Sequence, residues 1–159
     1  MCAAKVAGGV KLEAALERYL KGANKTMRAG ILEGSAYPDG TPTAMVAFWN
    51  EYGTSHNDNG KVNVTPPRSF MRTTAQAKGK RWSNVVGATV QRNGGDFEAA
   101  LRLAGEAAMT DIKRTIATFT DPPNKPSTVA KKGQNQVLRD TKHMMNSVAY
   151  DIVDGEVSE

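Results

Sequence analysis

Few residues in this 159-residue chain could do chemistry, and they stand far apart. His56 and His143 are its two histidines, with no His/Cys/Asp cluster at metal-ligand spacing around either. Cys2, the one cysteine, lies too near the terminus to be oriented against a base, and alone it excludes an internal disulfide or a multi-cysteine zinc site. A phosphate cradle needs a glycine loop ending in Lys and then Ser or Thr. Gly79-Lys80-Arg81 fails at the third place, and no lysine follows Gly94-Gly95. Asp96 and Glu98 begin a helix, where stabilising its dipole is explanation enough. No catalytic, cofactor-binding or metal-ligating residue is assigned, no cofactor is expected, and the chain reads as a non-enzyme.

Charge is the chemistry that remains. The net charge is +5, and residues 61–92 hold Lys61, Arg68, Arg72, Lys78, Lys80, Arg81 and Arg92 without one acid. After Tyr150 come Asp151, Asp154, Glu156 and Glu159 without one base. A cationic stretch and an anionic end suit head-to-tail joining of copies, or contact of the cationic part with nucleic acid; the bland alternative is a solvated helix face and a tail.

These charges need elements to position them. Hydrophobic residues make up 40% and charged residues 23%, which fits a folded domain with an aliphatic core, since aromatics are only 6%. No apolar run approaches the ~20 residues of a membrane-spanning helix, and no signal-peptide core opens the chain, so a cytoplasmic site of synthesis is expected. Residues 1–10 read as a flexible lead-in, 11–153 as a single domain and 154–159 as an acidic tail. Leu12, Leu16, Tyr19 and Leu20 recur at helical spacing and predict a helix over 11–23. A strand follows over 26–33, then a loop over 34–40. Thr41 as cap, Pro42 at the first position and Gly53 past the end frame a helix over 43–52. Its Ala44, Val46, Ala47, Phe48 and Trp49 imply burial, in the core or against a partner.

Residues 54–60 read as an exposed polar loop and 61–65 as extended. Ser69 is the expected cap of a helix over 70–91, weakened at Gly79 and Gly87 and liable to bend or break near Gly79. The strongest helical stripe starts after Asn93-Gly94-Gly95 with Asp96 as cap: Phe97, Leu101, Ala104, Ala108, Ile112, Ile116 and Phe119 step by three or four and read as core. A long loop covers 121–136. A final unit over 137–153, capped by Asp140 or Thr141, turns from a short helix around His143 to strand alternation at Val148, Tyr150 and Ile152. The fold class is α+β, a small, mostly antiparallel sheet against several helices.

Two segments together resemble a known family. One is Ala44-Met-Val-Ala-Phe-Trp-Asn50-Glu51-Tyr52-Gly53-Thr54, followed by Pro66-Pro67-Arg68-Ser69-Phe70-Met71-Arg72. The other is Pro123-Asn-Lys-Pro-Ser-Thr128-Val-Ala-Lys-Lys132-Gly133, then Leu138-Arg-Asp140-Thr141 and Met144-Met-Asn146-Ser147-Val148-Ala-Tyr150. Their order and spacing resemble the tail-completion, or minor tail-component, proteins of long-tailed bacteriophages, over about residues 26 to 153. Two departures stand out: the family usually carries Gly where Lys142 stands, and the 54–61 loop is longer and more polar. The resemblance implies a virion structural protein of the neck, made in the host cytoplasm. It implies a ring of identical subunits, most simply six, that caps the tail and makes it competent for head joining. Its partners would be copies of itself, the tail terminator or tail tube protein, and the head-tail connector, with no membrane.

Within that picture Glu51 opposes its own helix dipole and needs a compensating partner. Arg68, stiffened by Pro66-Pro67, is the candidate, the alternative being a solvated Glu51 with Arg68 pointing elsewhere. Phe70 reads as a core anchor, the alternative being an intersubunit knob. The 121–136 loop, with Lys125, Lys131 and Lys132, reads as an assembly arm, because connections this long are seldom mere connections. Lys78, Lys80 and Arg81 are candidate contacts to genomic DNA in the ring's lumen. The competing function is non-specific DNA binding through residues 61–92, although no exposed aromatics interleave the bases for stacking.

Overall fold

The structure, a computed structural model, describes residues 9–22, 24–138 and 142–155. The expected caps Asp140 and Thr141, most of the lead-in with Cys2, and the tail acids Glu156 and Glu159 lie outside the described residues. In chain order the elements are α1 (Gly9–Gly22), β1 (Lys25–Ile31), α2 (Thr43–Tyr52), β2 (Thr54–Asp58), β3 (Lys61–Thr65), α3 (Phe70–Arg92), α4 (Phe97–Thr118), α5 (Pro126–Lys132), α6 (His143–Asn146) and β4 (Val148–Asp154). The class is α+β, as the periodicities predict.

The Asp96 side chain caps α4 by accepting the Ala99 N–H at 2.9 Å. Leu101, Ala104, Ala108, Ile112 and Ile116 are buried along one face. Ala100, Ala104, Gly105 and Ala108 keep half of that buried face small, so its neighbours come close. A Cβ added at Gly105 would stand 2.3 Å from Tyr150 Cδ2, so the β4 aromatic lies directly on the α4 backbone. β1 and β4 pair antiparallel from Lys25↔Asp154 to Ile31↔Val148 and pack on α4. Phe70, Ile112, Ile116, Val137, Leu138, Met144 and Val148 form the core where α3, α4 and the final unit meet.

Four local expectations are corrected. Residues 54–58 form β2, paired with β3 from Thr54↔Thr65 to Asp58↔Lys61, rather than a loop. Asn59 (φ 49°) and Gly60 (φ 83°) both take positive φ, the geometry of the tight turn whose twist matches a two-stranded ribbon. α3 runs unbroken through Gly79 and Gly87, because packing against α4 outweighs the cost of two glycines. Thr41 does not cap α2: Pro42 holds that position without a side-chain bond, and the Thr41 N–H is taken by Asp39 Oδ1 at 2.9 Å. The 121–136 segment contains α5, started by Pro126 and stopped by Gly133 in the left-handed conformation. Among the described residues, no helix is long and apolar enough to cross a membrane.

Candidate functional site

α2 is inside out. Its polar Thr43 and Glu51 are buried, Glu51 at 7% exposure, while Met45, Phe48 (56%), Trp49 and Tyr52 (59%) face outward. Of the two expected places for its apolar side chains, the chain's own core takes Ala47, and Phe48 and Trp49 are left outside it. The cause is Glu51. Its Oε2 accepts the Met71 N–H at 2.9 Å and its Oε1 the Arg72 N–H at 3.1 Å, so the carboxylate caps the first turn of α3. The Ser69 hydroxyl donates to the Glu51 carbonyl at 2.9 Å instead of capping α3. Glu51 thus sits unfavourably at the negative end of its own helix and favourably at the positive end of the next. Gly53 makes the junction possible. At φ 76° it lets the chain leave α2, and a Cβ there would lie 2.6 Å from the Thr65 carbonyl as the chain returns.

Arg68 is not the partner of Glu51. Its N–H donates to the Asn50 carbonyl at 2.6 Å, which turns its side chain the other way, where Nη2 donates to Asn124 Oδ1 at 3.1 Å. Burial pulls its pKa below the usual guanidinium value, and its Nε is buried with no hydrogen-bond partner among the described residues. Arg72 takes the place expected of Arg68: its Nε lies 3.8 Å from Glu51 Oε1 and its guanidinium 5.3 Å from the centre of the Tyr52 ring.

Among the described residues three hollows border α2, one of them against the β2–β3 ribbon, and two bear on the site. One, of about 210 Å³, is an apolar groove between α2 and the start of α3, lined by Ile31, Ala44, Ala47, Phe48, Tyr52 and Met71. The other, of about 350 Å³, is polar and gathers Arg68, Lys132, Lys142 and His143 opposite Asp39, with Trp49 on its wall. Beside it, His143 Nε2 lies 3.2 Å from Thr43 Oγ1 and 3.4 Å from Ser35 Oγ, and Ser35 Oγ is also 2.7 Å from both Thr43 Oγ1 and Ser147 Oγ. Sequence spacing gave no sign of this cluster, since Ser35 and His143 are 108 positions apart. With its oxygen shared among three side chains, Ser35 serves to tie the 34–40 loop, α2 and α6 together.

The remaining cations are dispersed. Lys125 and Lys131 are exposed on and beside α5, and only Lys132 reaches the polar hollow. On α3, Lys80 is exposed and Lys78 half-buried. Arg81 is not a simple outward contact: its Nη1 donates to both carboxylate oxygens of buried Asp111, at 2.8 and 2.7 Å, and Trp82 Nε1 donates to the same carboxylate at 3.0 Å.

The chain matches no protein-family model, no curated protein and no solved structure. Among the described residues, no three His, Cys, Asp or Glu side chains gather as a metal centre would require. The side chains best placed to act on another molecule are the outward aromatics of α2 and, on α1, Leu12, Leu16 and Leu20, each more than half exposed.

Proposed function

We propose that this chain is a structural protein of a bacteriophage neck, a tail-completion subunit that forms a ring with its copies and readies the tail for joining to a head. One observation carries the reading: α2, the helix at the centre of the sequence resemblance, turns Phe48, Trp49 and Tyr52 to solvent while burying Glu51. A helix arranged in this way is finished only when another chain covers it. A second observation agrees. Lys142, where the family usually carries Gly, holds φ 61° and ψ 3°, a conformation that glycine adopts without penalty. In this reading α5, with Lys125, Lys131 and Lys132, faces the tail tube or terminator, and the opposite rim of the ring faces the head connector.

Particles produced without the protein test the reading. Full heads beside separate, headless tails are the expected outcome, and normal joined virions overturn it. The competing reading, non-specific DNA binding through residues 61–92, rests chiefly on Lys61, Lys78, Lys80 and Arg92, because Arg68, Arg72 and Arg81 are engaged with Asn124, Tyr52 and Asp111. A duplex gel shift that weakens steeply with salt would favour it.

A further inference from the structure

Two apolar features of the described surface, on α1 and beside α2, are unlike in shape and in charge. On α1, Leu12, Leu16 and Leu20 stand at intervals of four and form a ridge, and Glu13 and Glu17 run along the adjoining line of the same helix. The groove beside α2 is concave and mostly apolar, lined by Ala44, Ala47, Phe48, Tyr52 and Met71, with the buried Glu51 carboxylate beside them. Arg72 stands at its edge over the Tyr52 ring, with its side chain 54% exposed. An acid-flanked leucine ridge matches an arginine-flanked apolar groove, the pairing by which an amphipathic helix docks on another protein.

The two features cannot meet within one chain. α1 is pressed onto the turn between α3 and α4: a Cβ at Gly95 would lie 2.7 Å from the Ala15 carbonyl, and one at Gly22 3.1 Å from Phe97 Cβ. The groove lies at the opposite end of α3, at Met71. Between these two places runs α3, 23 residues and roughly 34 Å long at 1.5 Å per residue. We infer that the α1 ridge of one copy seats in the α2 groove of the next, with Glu13 and Glu17 against Arg72. Joining unlike faces leaves a free ridge at one end and a free groove at the other, so copies add head to tail until a ring closes. This inference rests on the proposed assembly function and names the surfaces that would carry it.

Sedimentation of the full chain with two surface variants tests it. A ridge variant, Leu16→Asp with Leu20→Asp, and a groove variant, Phe48→Asp, alter only exposed side chains, so each keeps the wild-type circular dichroism and thermal transition. Wild type is expected to associate with rising concentration and each variant to stay monomeric. An equimolar mixture of the two should stop at one-to-one heterodimers, because only one intact ridge and one intact groove can meet. Variants that associate as wild type does overturn this interface but leave the neck reading standing, since that is judged by particles lacking the protein. A wild-type chain that stays monomeric, yet binds isolated tails through Phe48, assigns the groove to a tail protein and overturns the second-copy assignment.

Discussion

Glu51 caps a helix to which it does not belong: its Oε2 accepts the N–H of Met71, twenty positions later, at 2.9 Å. The bond fixes the angle between α2 and α3 and, by drawing the polar end of α2 inward, turns Phe48 and Tyr52 outward. The surface proposed for assembly is therefore set by a buried carboxylate.

Replacing Glu51 with Ala strips two N–H groups of their acceptor in a buried place. The expected cost is about 1–2 kcal/mol of unfolding free energy, the scale of a lost helix cap. Since Arg68 bonds Asn124 and not Glu51, the double variant Glu51→Ala/Arg68→Ala should show additive losses in urea denaturation, to within about 0.5 kcal/mol. A larger coupling would mean that the two residues do interact.

Asp111 is the polar rivet between α3 and α4, at 2% exposure beneath Arg81 and Trp82. Asp111→Ala leaves the Trp82 N–H unanswered and Arg81 without its partner, and should cost about 3 kcal/mol. Trp82→Phe removes one bond and should cost nearer 1 kcal/mol apart from packing changes. Thermal unfolding followed by circular dichroism separates the two.

Lys142 holds a left-handed conformation at the start of α6. Lys142→Gly should raise stability by up to about 1 kcal/mol, because the Cβ strain of that conformation exceeds the extra freedom glycine has when unfolded. A lower midpoint in urea would show that the lysine side chain contributes more than its backbone costs.

Across the β1–β4 pair, Asp151 accepts from Arg28 Nε at 3.0 Å and from its Nη2, and these bonds hold its pKa below the usual carboxylate value. A depressed folded pKa makes the contribution to stability complete above the unfolded value of about 3.9 and loses it as pH falls through the lower, folded value. Asp151→Asn should therefore weaken the protein near neutrality and flatten the acid limb of its stability curve below about pH 4. Urea midpoints at pH 6 and pH 3 for the two proteins provide the check: a wild-type advantage that is unchanged at pH 3 would contradict it.

Much of the fold is local and could be read from the chain. The α4 stripe, the Asp96 cap and the alternation at Val148, Tyr150 and Ile152 each report a periodicity that one element imposes on its own residues. Two elements that the composition of their segments hides also carry local signals: Asn59-Gly60 marks the β2–β3 turn, and Pro126 with Gly133 brackets α5. What the chain alone could not reveal was which face of α2 is buried. Periodicity places Phe48 and Glu51 on their helix but does not say that the start of α3, brought back by the β2–β3 hairpin, needs an acceptor that only Glu51 reaches. Nor could spacing bring Ser35 to His143, or place the α1 ridge and the α2 groove at opposite ends of α3. Helical and strand pattern follow from neighbours in sequence. The direction of α2's faces and the distance between the two apolar features follow from free N–H groups and rigid elements that meet only in three dimensions.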